Sequence, residues 1–317
     1  MKKALITGIA GFAGSHLAEY LLSKNFEIFG FYHPGHSTQN VAGIKDNIKL
    51  IDCDLLNQSR LRRELRLIRP DYVFHLAAFS SPAASFQNPR QTLENNIFGQ
   101  LNLLEALAKS KSKAKILVVG SADEYGDIDP KYLPAKEVTP LSPISPYAVS
   151  KVAQDMLGLQ FFLHHKLQIV RVRPFNHIGP RQSASFVVSA FAAQIAEMES
   201  KGGQTIIVGD LSKVREFTDA RDMVKAYLLA LEKCLPGEVY NIGTGIPVKI
   251  ADLLEMLLSL ARVRITVKVD KSRIPPVDIK MIYCDPSKFQ KATSWKPRIP
   301  LLKTLSDTIE YERKKLR

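Results

Sequence analysis

Residues Gly8-Ile-Ala-Gly11-Phe-Ala-Gly14 constrain this chain more than any other stretch. They follow Lys3-Ala-Leu-Ile-Thr7, an apolar run that reads as a short buried strand. They precede residues 15–24, which read as a helix. A strand that turns through spaced glycines into a helix opens a βαβ unit, because glycine allows a tight turn and close backbone approach to a ligand. The first turn of such a helix offers free N–H groups and the positive end of its dipole to an anion. This placement predicts a cradle for the pyrophosphate of a dinucleotide.

The strand–helix alternation continues along the chain. Residues 26–31, 48–52, 72–76, 114–120 and 168–173 read as further short apolar strands. Between them fall an arginine-rich helix, a helix over residues 89–109 and a helix opened by Ser145-Pro146. The predicted fold is α/β: a Rossmann-type doubly wound parallel sheet, with ligands outside the carboxyl ends of its strands. After about residue 174 the pattern loosens, with proline-rich stretches at Ile274-Pro-Pro276 and Lys296-Pro-Arg-Ile-Pro300. That change predicts a smaller C-terminal lobe. Residues 1–173 with about 217–245 would form the dinucleotide domain, and about 174–216 with 246–317 the lobe. Residues 238–242 read as a strand returning to the main sheet.

Composition narrows the function classes. The chain has 317 residues, 45% hydrophobic and 24% charged, enough for a sizeable core. No apolar run reaches the roughly 18 residues of a membrane span, and no targeting segment is evident, so a cytoplasmic location with no membrane partner is expected. Net charge is +13. Arg60, Arg62, Arg63, Arg66 and Arg69 share one predicted helix, and Arg313, Lys314, Lys315 and Arg317 end the chain. Without interleaved aromatics these read as solvated surface, and no nucleic-acid partner is expected. Cys53, Cys234 and Cys284 are odd in number and far apart, which predicts buried free thiols, no disulfide framework and no metal.

Ser145-Pro-Tyr-Ala-Val-Ser-Lys151 supplies the chemistry. Tyr147 and Lys151, four residues apart, stack on one helix face. An adjacent ammonium would lower the phenol pKa and make Tyr147 a proton donor or acceptor near neutrality. At the end of the second strand stands Phe31-Tyr32-His33, with His36 nearby, and no carboxylate to hold a ribose 2′-hydroxyl. That favours NADP(H), with NAD(H) still open because no arginine is present there. Asp54 could meet the adenine or be an ordinary loop aspartate.

Together these features resemble the extended short-chain dehydrogenase/reductase family, over essentially the whole chain. The matching motifs are Gly8-x-x-Gly11-x-x-Gly14, His75-Leu-Ala-Ala78, Asn96 with Gly99, Gly120-Ser121, Tyr147-x-x-x-Lys151, Arg173-Pro-Phe-Asn176 and Asn241-Ile-Gly-Thr-Gly245. The resemblance implies an NAD(P)-dependent oxidoreductase acting on a nucleotide sugar, and makes the smaller C-terminal lobe its substrate-binding lobe. It implies cofactor contacts at Gly8, Gly11, Phe12, Ala13, Gly14, Tyr32, His33, Asp54, Leu55, Leu76, Ala77, Ala78, Asn96, Tyr147 and Lys151. Tyr147 would be the acid/base, Lys151 would hold the nicotinamide ribose, and Ser121 would bond the reacting sugar oxygen. Substrate contacts are implied at Ser80, Ser121, Asp123, Glu124, Asn176, Arg181, Val187, Arg215, Arg273 and Asp278. His177 would lie near the sugar or simply pack, and Arg221 would meet the diphosphate or pair with Asp219 or Asp222. Relatives often dimerise through the helices that here contain residues 94–109 and 147–161, so a homodimer is expected.

The run Ser121-Ala122-Asp123-Glu124 bears on the reaction. Family members that eliminate water from the sugar carry two proton-transfer groups after the serine or threonine. Here Ala122 cannot transfer a proton, and Asp123 stands where the glutamate base would be. Arg173-Pro-Phe-Asn-His-Ile-Gly-Pro-Arg-Gln182 has the character of the branch that handles GDP-mannose derivatives. The resemblance therefore implies a GDP-sugar substrate and reduction of its C4 keto group, with 4,6-dehydration and 4-epimerisation as alternatives. Relatives carry an arginine two residues after Arg273, where this chain has Pro275. Either Arg273 reaches the diphosphate from a shifted loop, or nucleotide binding differs from that of the relatives.

Overall fold

The computed structural model describes residues 1–273 and 278–316. Ile274-Pro-Pro276, with its Pro275 departure, and Arg317 lie outside the described residues.

Seven short strands form one parallel sheet: β1 (Lys3–Thr7), β2 (Glu27–Tyr32), β3 (Lys49–Asp52), β4 (Tyr72–His75), β5 (Lys115–Val119), β6 (Gln168–Pro174) and β7 (Val239–Ile242). Their spatial order is β7-β6-β5-β4-β1-β2-β3. The chain runs outward from β1 to β3, then crosses to the other side of β1 with β4. A crevice opens at such a reversal, because the connections leave β1 and β4 in opposite directions. The predicted return strand is β7, paired parallel to β6 with Val239 opposite Arg171.

Alternate residues of each strand feed two apolar layers. Ala4, Ile6, Phe74, Leu117 and Val172 enter one layer, with Leu17, Leu21, Met223 and Leu231 from α1 (Phe12–Leu22) and, further along the chain, the helix Ala220–Lys233. Leu5, Val73, Ile116, Val118 and Ile169 enter the other, with Leu61, Leu65, Leu103 and Leu107 from α2 (Gln58–Ile68) and α3 (Gly99–Lys109). Burial on both faces explains why the strands read as unbroken apolar runs. The helix opened by Ser145-Pro146 is α4 (Pro146–His165), with the Ser145 hydroxyl accepting the Ala148 N–H at 3.1 Å.

A third apolar cluster lies in the C-terminal half. Phe191 and Ile195 of α5 (Val187–Lys201) join Leu253 and Leu257 of the helix Ile250–Ser259 and Leu305 and Ile309 of the helix Leu301–Lys315. In chain order after α5, Ala220–Lys233 is α6, Ile250–Ser259 is α7 and Leu301–Lys315 is α8.

The helix expected over 89–109 is interrupted. Pro89–Leu93 leads into a π-helical turn, Glu94–Phe98, before α3 begins. The wider turn brings Asn96 to full burial, where its amide bonds both the N–H and C=O of Phe79 (2.8 and 3.1 Å) and the Ser150 hydroxyl (2.9 Å). Residue spacing cannot announce a π turn, because the sequence around it still has helical periodicity.

Candidate active site

The carboxyl ends of β1, β2, β4, β5 and β6 surround a cleft of about 570 Å³. Its floor is the glycine turn. Gly8 has φ +72°, and a Cβ on it would stand 2.9 Å from the Ala77 backbone. A Cβ on Gly14 would collide with the Gly8 carbonyl oxygen. Gly11 caps α1, and no side chain satisfies that helix end. The open amides of the first turn face the cleft beside Phe12, Ala13 and Gly14, which suits a pyrophosphate. Tyr32, His33, Asp54 and Leu55 line the end of the cleft beyond β2 and β3, while Leu76, Ala77 and Ala78 form the wall after β4. These residues fit an extended dinucleotide.

Ser121, Tyr147 and Lys151 meet on the opposite side, where β5 ends against α4. The Ser121 side chain hydrogen-bonds the Tyr147 phenol. Lys151 is 5% exposed, and its ammonium donates to the Val119 carbonyl at 2.8 Å, with Nζ 5.9 Å from the Tyr147 ring centroid. The expected lowering of the Tyr147 pKa is not what this geometry gives. Burial raises it and the neighbouring Asp123 charge raises it further, against the Ser121 bond. Lys151 is itself held down at about 8 by burial. The phenol is therefore proton-loaded, the state a proton donor needs.

A chain of buried polar contacts links this helix to the glycine turn. Gln154 Nε2 reaches His75 Nε2 (3.3 Å) and the Asn96 carbonyl (2.9 Å). An amide nitrogen can only donate, so His75 Nε2 accepts and its Nδ1–H donates to Thr7 Oγ1 at 2.9 Å. Burial holds the His75 pKa down at about 3, so the ring stays neutral and keeps this tautomer.

The two acids after Ser121 part company. Asp123 lines the cleft, and burial pushes its pKa up to about 6, with Asp278 adding to the rise and Arg215 opposing it. Glu124 does not meet the expectation of a substrate contact. It is 0% exposed, accepts the Ser121 N–H at 2.8 Å and pairs with Arg173 at 2.9 Å. Burial and Asp155 raise its pKa, so it is a structural acid beneath the serine.

The family profile for GDP-mannose 4,6 dehydratase matches residues 5–308. The chain belongs to that family. It is 33% identical over 305 residues to GDP-6-deoxy-D-mannose reductase of Pseudomonas aeruginosa, covering 96% of this chain and 95% of the relative. It is 29% identical to a GDP-mannose 4,6-dehydratase of Vibrio cholerae, covering 97% and 92%. Among solved structures, RMD from Pseudomonas aeruginosa complexed with NADPH aligns at TM-score 0.87 and 31% identity, over 99% of this chain and 100% of the other. The UDP-glucose 4-epimerase of Thermotoga maritima with UDP-glucose aligns at TM-score 0.88 and 30% identity, covering 99% and 100%.

In this family member the far end of the cleft holds Ser80, Asn176, Val187, Arg215 and Asp278. Arg215 Nη2 donates to Asp278 Oδ1 (3.2 Å) and to the Ile279 carbonyl (2.6 Å), which leaves its guanidinium at the cleft edge. His177 lies there too, its ring stacked on Phe12 at 5.7 Å. Four residues expected at ligand contacts stand elsewhere. Asn96 is behind the wall it braces. Arg181 is tied to both Glu19 oxygens at 2.7 Å and to His16. Arg273 is 51% exposed, with its guanidinium on the Ile207 carbonyl at 3.1 Å. Glu124 is the fourth. Arg221 pairs with Asp219 and Asp307, each at an Nη2–oxygen distance below 3 Å, and so takes the pairing alternative. Sequence reading missed Ser37, Phe186, Phe217 and Tyr227, which also line the cleft. Among the described residues no cluster of three metal-ligating side chains exists, and no helix is long and apolar enough to cross a membrane.

Asp123 gives a stability test. Its folded pKa lies above its ordinary value of 3.8, so its ionisation opposes folding above about pH 6, and that penalty vanishes below about pH 4. Asp123→Asn should therefore melt higher than wild type at pH 7.5, and the advantage should fade as pH falls to 4. A pH-independent difference in melting temperature would refute this.

Proposed function

We propose that the protein reduces the C4 keto group of GDP-4-keto-6-deoxy-D-mannose with NADPH, giving GDP-D-rhamnose. The observation that carries this reading is the fate of the two acids after Ser121. Elimination of water needs two proton-transfer groups on the sugar. Beside the serine only Asp123 faces the cleft, because Ala122 is inert and Glu124 is turned inward onto Arg173. Reduction needs one proton donor, and Tyr147 is held protonated.

Held along the cleft by the glycine turn, Tyr147 and Lys151, NADPH would supply the hydride that C4 takes up. Tyr147 protonates the oxygen as charge develops on it, while Ser121 donates to the same oxygen. A preorganised donor of this kind is worth about 3 kcal/mol of barrier. Lys151 orients the cofactor ribose and sets the local positive charge. Arg215 grips the GDP diphosphate, a role suited to its forked geometry. The end of β2 supports NADPH over NADH, because its loop turns His33, His36 and Ser37 toward the cleft with no carboxylate on the strand end. The likeness to the Pseudomonas reductase agrees with this reading.

The test is to mix the protein with NADPH and the keto sugar and follow oxidation of the reduced cofactor. No oxidation, with GDP-mannose consumed under NADP⁺, would favour the dehydratase instead. NADH binding as tight as NADPH binding would sink the cofactor assignment.

The partner is a second copy of the chain. Val149, Met156 and Leu163 are all exposed and recur every seven residues along α4, and Phe98 is exposed just before α3. An apolar stripe of this kind suits a helix-to-helix interface. Met156→Glu combined with Leu163→Glu should convert a dimer to a monomer in sedimentation equilibrium. A wild type that sediments as a monomer at micromolar concentration would overturn the dimer.

A further inference from the structure

One buried polar atom, on a residue that lines this cleft, has no role in the chemistry above. Tyr227, on α6, is 0% exposed and belongs to the same apolar layer as Ile9, Val119 and Val172. Its hydroxyl has no hydrogen-bond partner among the described residues. Interiors seldom leave a buried hydroxyl unpaired, and phenylalanine would fill the same space without the cost. Yet Tyr227 is also among the residues that line the cleft, and a small turn of its ring would bring the hydroxyl to a ligand lying there.

Its place in the fold says which part of the ligand. Tyr32, His33 and Asp54 bound the end beyond β2 and β3, and the α1 amides face the middle. Helix α6 packs instead on α1, β5 and β6, under the strand ends that lead to Ser121 and to Phe175-Asn176. Burial disfavours ionisation of Tyr227, and a phenolate at nearby Tyr147 would disfavour it further. A dinucleotide laid along the cleft puts its nicotinamide at this point. The ribose of that half falls to Tyr147 and Lys151, and the ring has one polar substituent.

We propose that the Tyr227 hydroxyl hydrogen-bonds the nicotinamide carboxamide of the bound cofactor and so fixes the rotation of the ring. The contact rests only on the dinucleotide-binding part of the proposed function. Tyr227→Phe in the full chain tests it by titration calorimetry with two probes, NADPH and 2′-phospho-ADP-ribose, which lacks the nicotinamide. The variant should bind NADPH about tenfold more weakly, bind 2′-phospho-ADP-ribose as the wild type does, and melt no lower without ligand. Unchanged NADPH affinity, or equal weakening toward both probes, overturns the contact. A cofactor with hydrogen in place of the carboxamide gives the same test on the wild type: about tenfold weaker binding is expected, and equal binding refutes it. A wild type that binds NADPH but leaves the keto sugar untouched sinks the proposed reaction, not this contact.

Discussion

Replacing Tyr147 with phenylalanine should cut kcat about a thousandfold, within the range for loss of a positioned general acid, while the NADPH dissociation constant moves little. The neighbourhood holds no good substitute donor. Asp123 has a pKa of about 6 and is mostly ionised at neutral pH. Lys151 could lose a proton near pH 8, but its ammonium is directed at the Val119 carbonyl. Ser121 can donate a hydrogen bond, not a proton. Stopped-flow reduction of the keto sugar would measure the step directly. A Tyr147→Phe enzyme within tenfold of wild type would move the acid to Lys151 or to solvent.

The largest stability effect should come from a residue that touches no ligand. Asp155 of α4 holds two buried arginines of β6: Oδ1 accepts from Arg171 at 2.7 Å, and Oδ2 accepts from Arg173 at 3.0 and 2.5 Å. All three side chains are under a tenth exposed. Asp155→Ala would leave two guanidiniums in the interior without their shared carboxylate, Arg171 keeping the Gly237 carbonyl and Arg173 keeping Glu124, the Tyr125 hydroxyl and the Glu137 carbonyl. Removing one partner of a buried ion pair costs about 3–5 kcal/mol. Urea denaturation should show a loss of that size, and Asp155→Asn should lose less because its amide oxygen still accepts. A loss below about 1 kcal/mol would mean the arginines reach water or another acceptor. Arg173 also bonds the Tyr125 hydroxyl at 3.0 Å, so the damage should spread to the turn that carries Ser121.

The sheet was legible in the sequence because strands buried on both faces leave continuous apolar runs, and a glycine triplet between strand and helix has few other uses. The Tyr147–Lys151 pair was legible from helix-face spacing, and Ser121 joined it through the family resemblance. Competition between neighbours was not. Arg181 sits where a motif places a ligand contact and Arg273 two residues before one, but Glu19 and the Ile207 carbonyl claim them. Glu124 follows Asp123 directly, yet the 3-10 turn at Ala122–Tyr125 aims one acid outward and the other into the core. The Tyr147–Lys151 spacing alone suggested a lowered phenol pKa. Burial reverses that, and burial is a property of the whole fold. The unpaired Tyr227 hydroxyl leaves no trace in a helical apolar pattern.

The buried chain from Thr7 through His75 and Gln154 to Asn96 has a consequence for redesign. It joins the floor of the cleft to the catalytic helix, so a change along it should alter turnover and cofactor affinity together. The loop bearing His33 and His36 stands outside that chain, with both rings exposed to solvent. Asp123 and Arg215 stand outside it at the other end. Coenzyme choice and sugar choice are thus separable traits in this protein, each adjustable at its own rim, while the relay between them is best left alone.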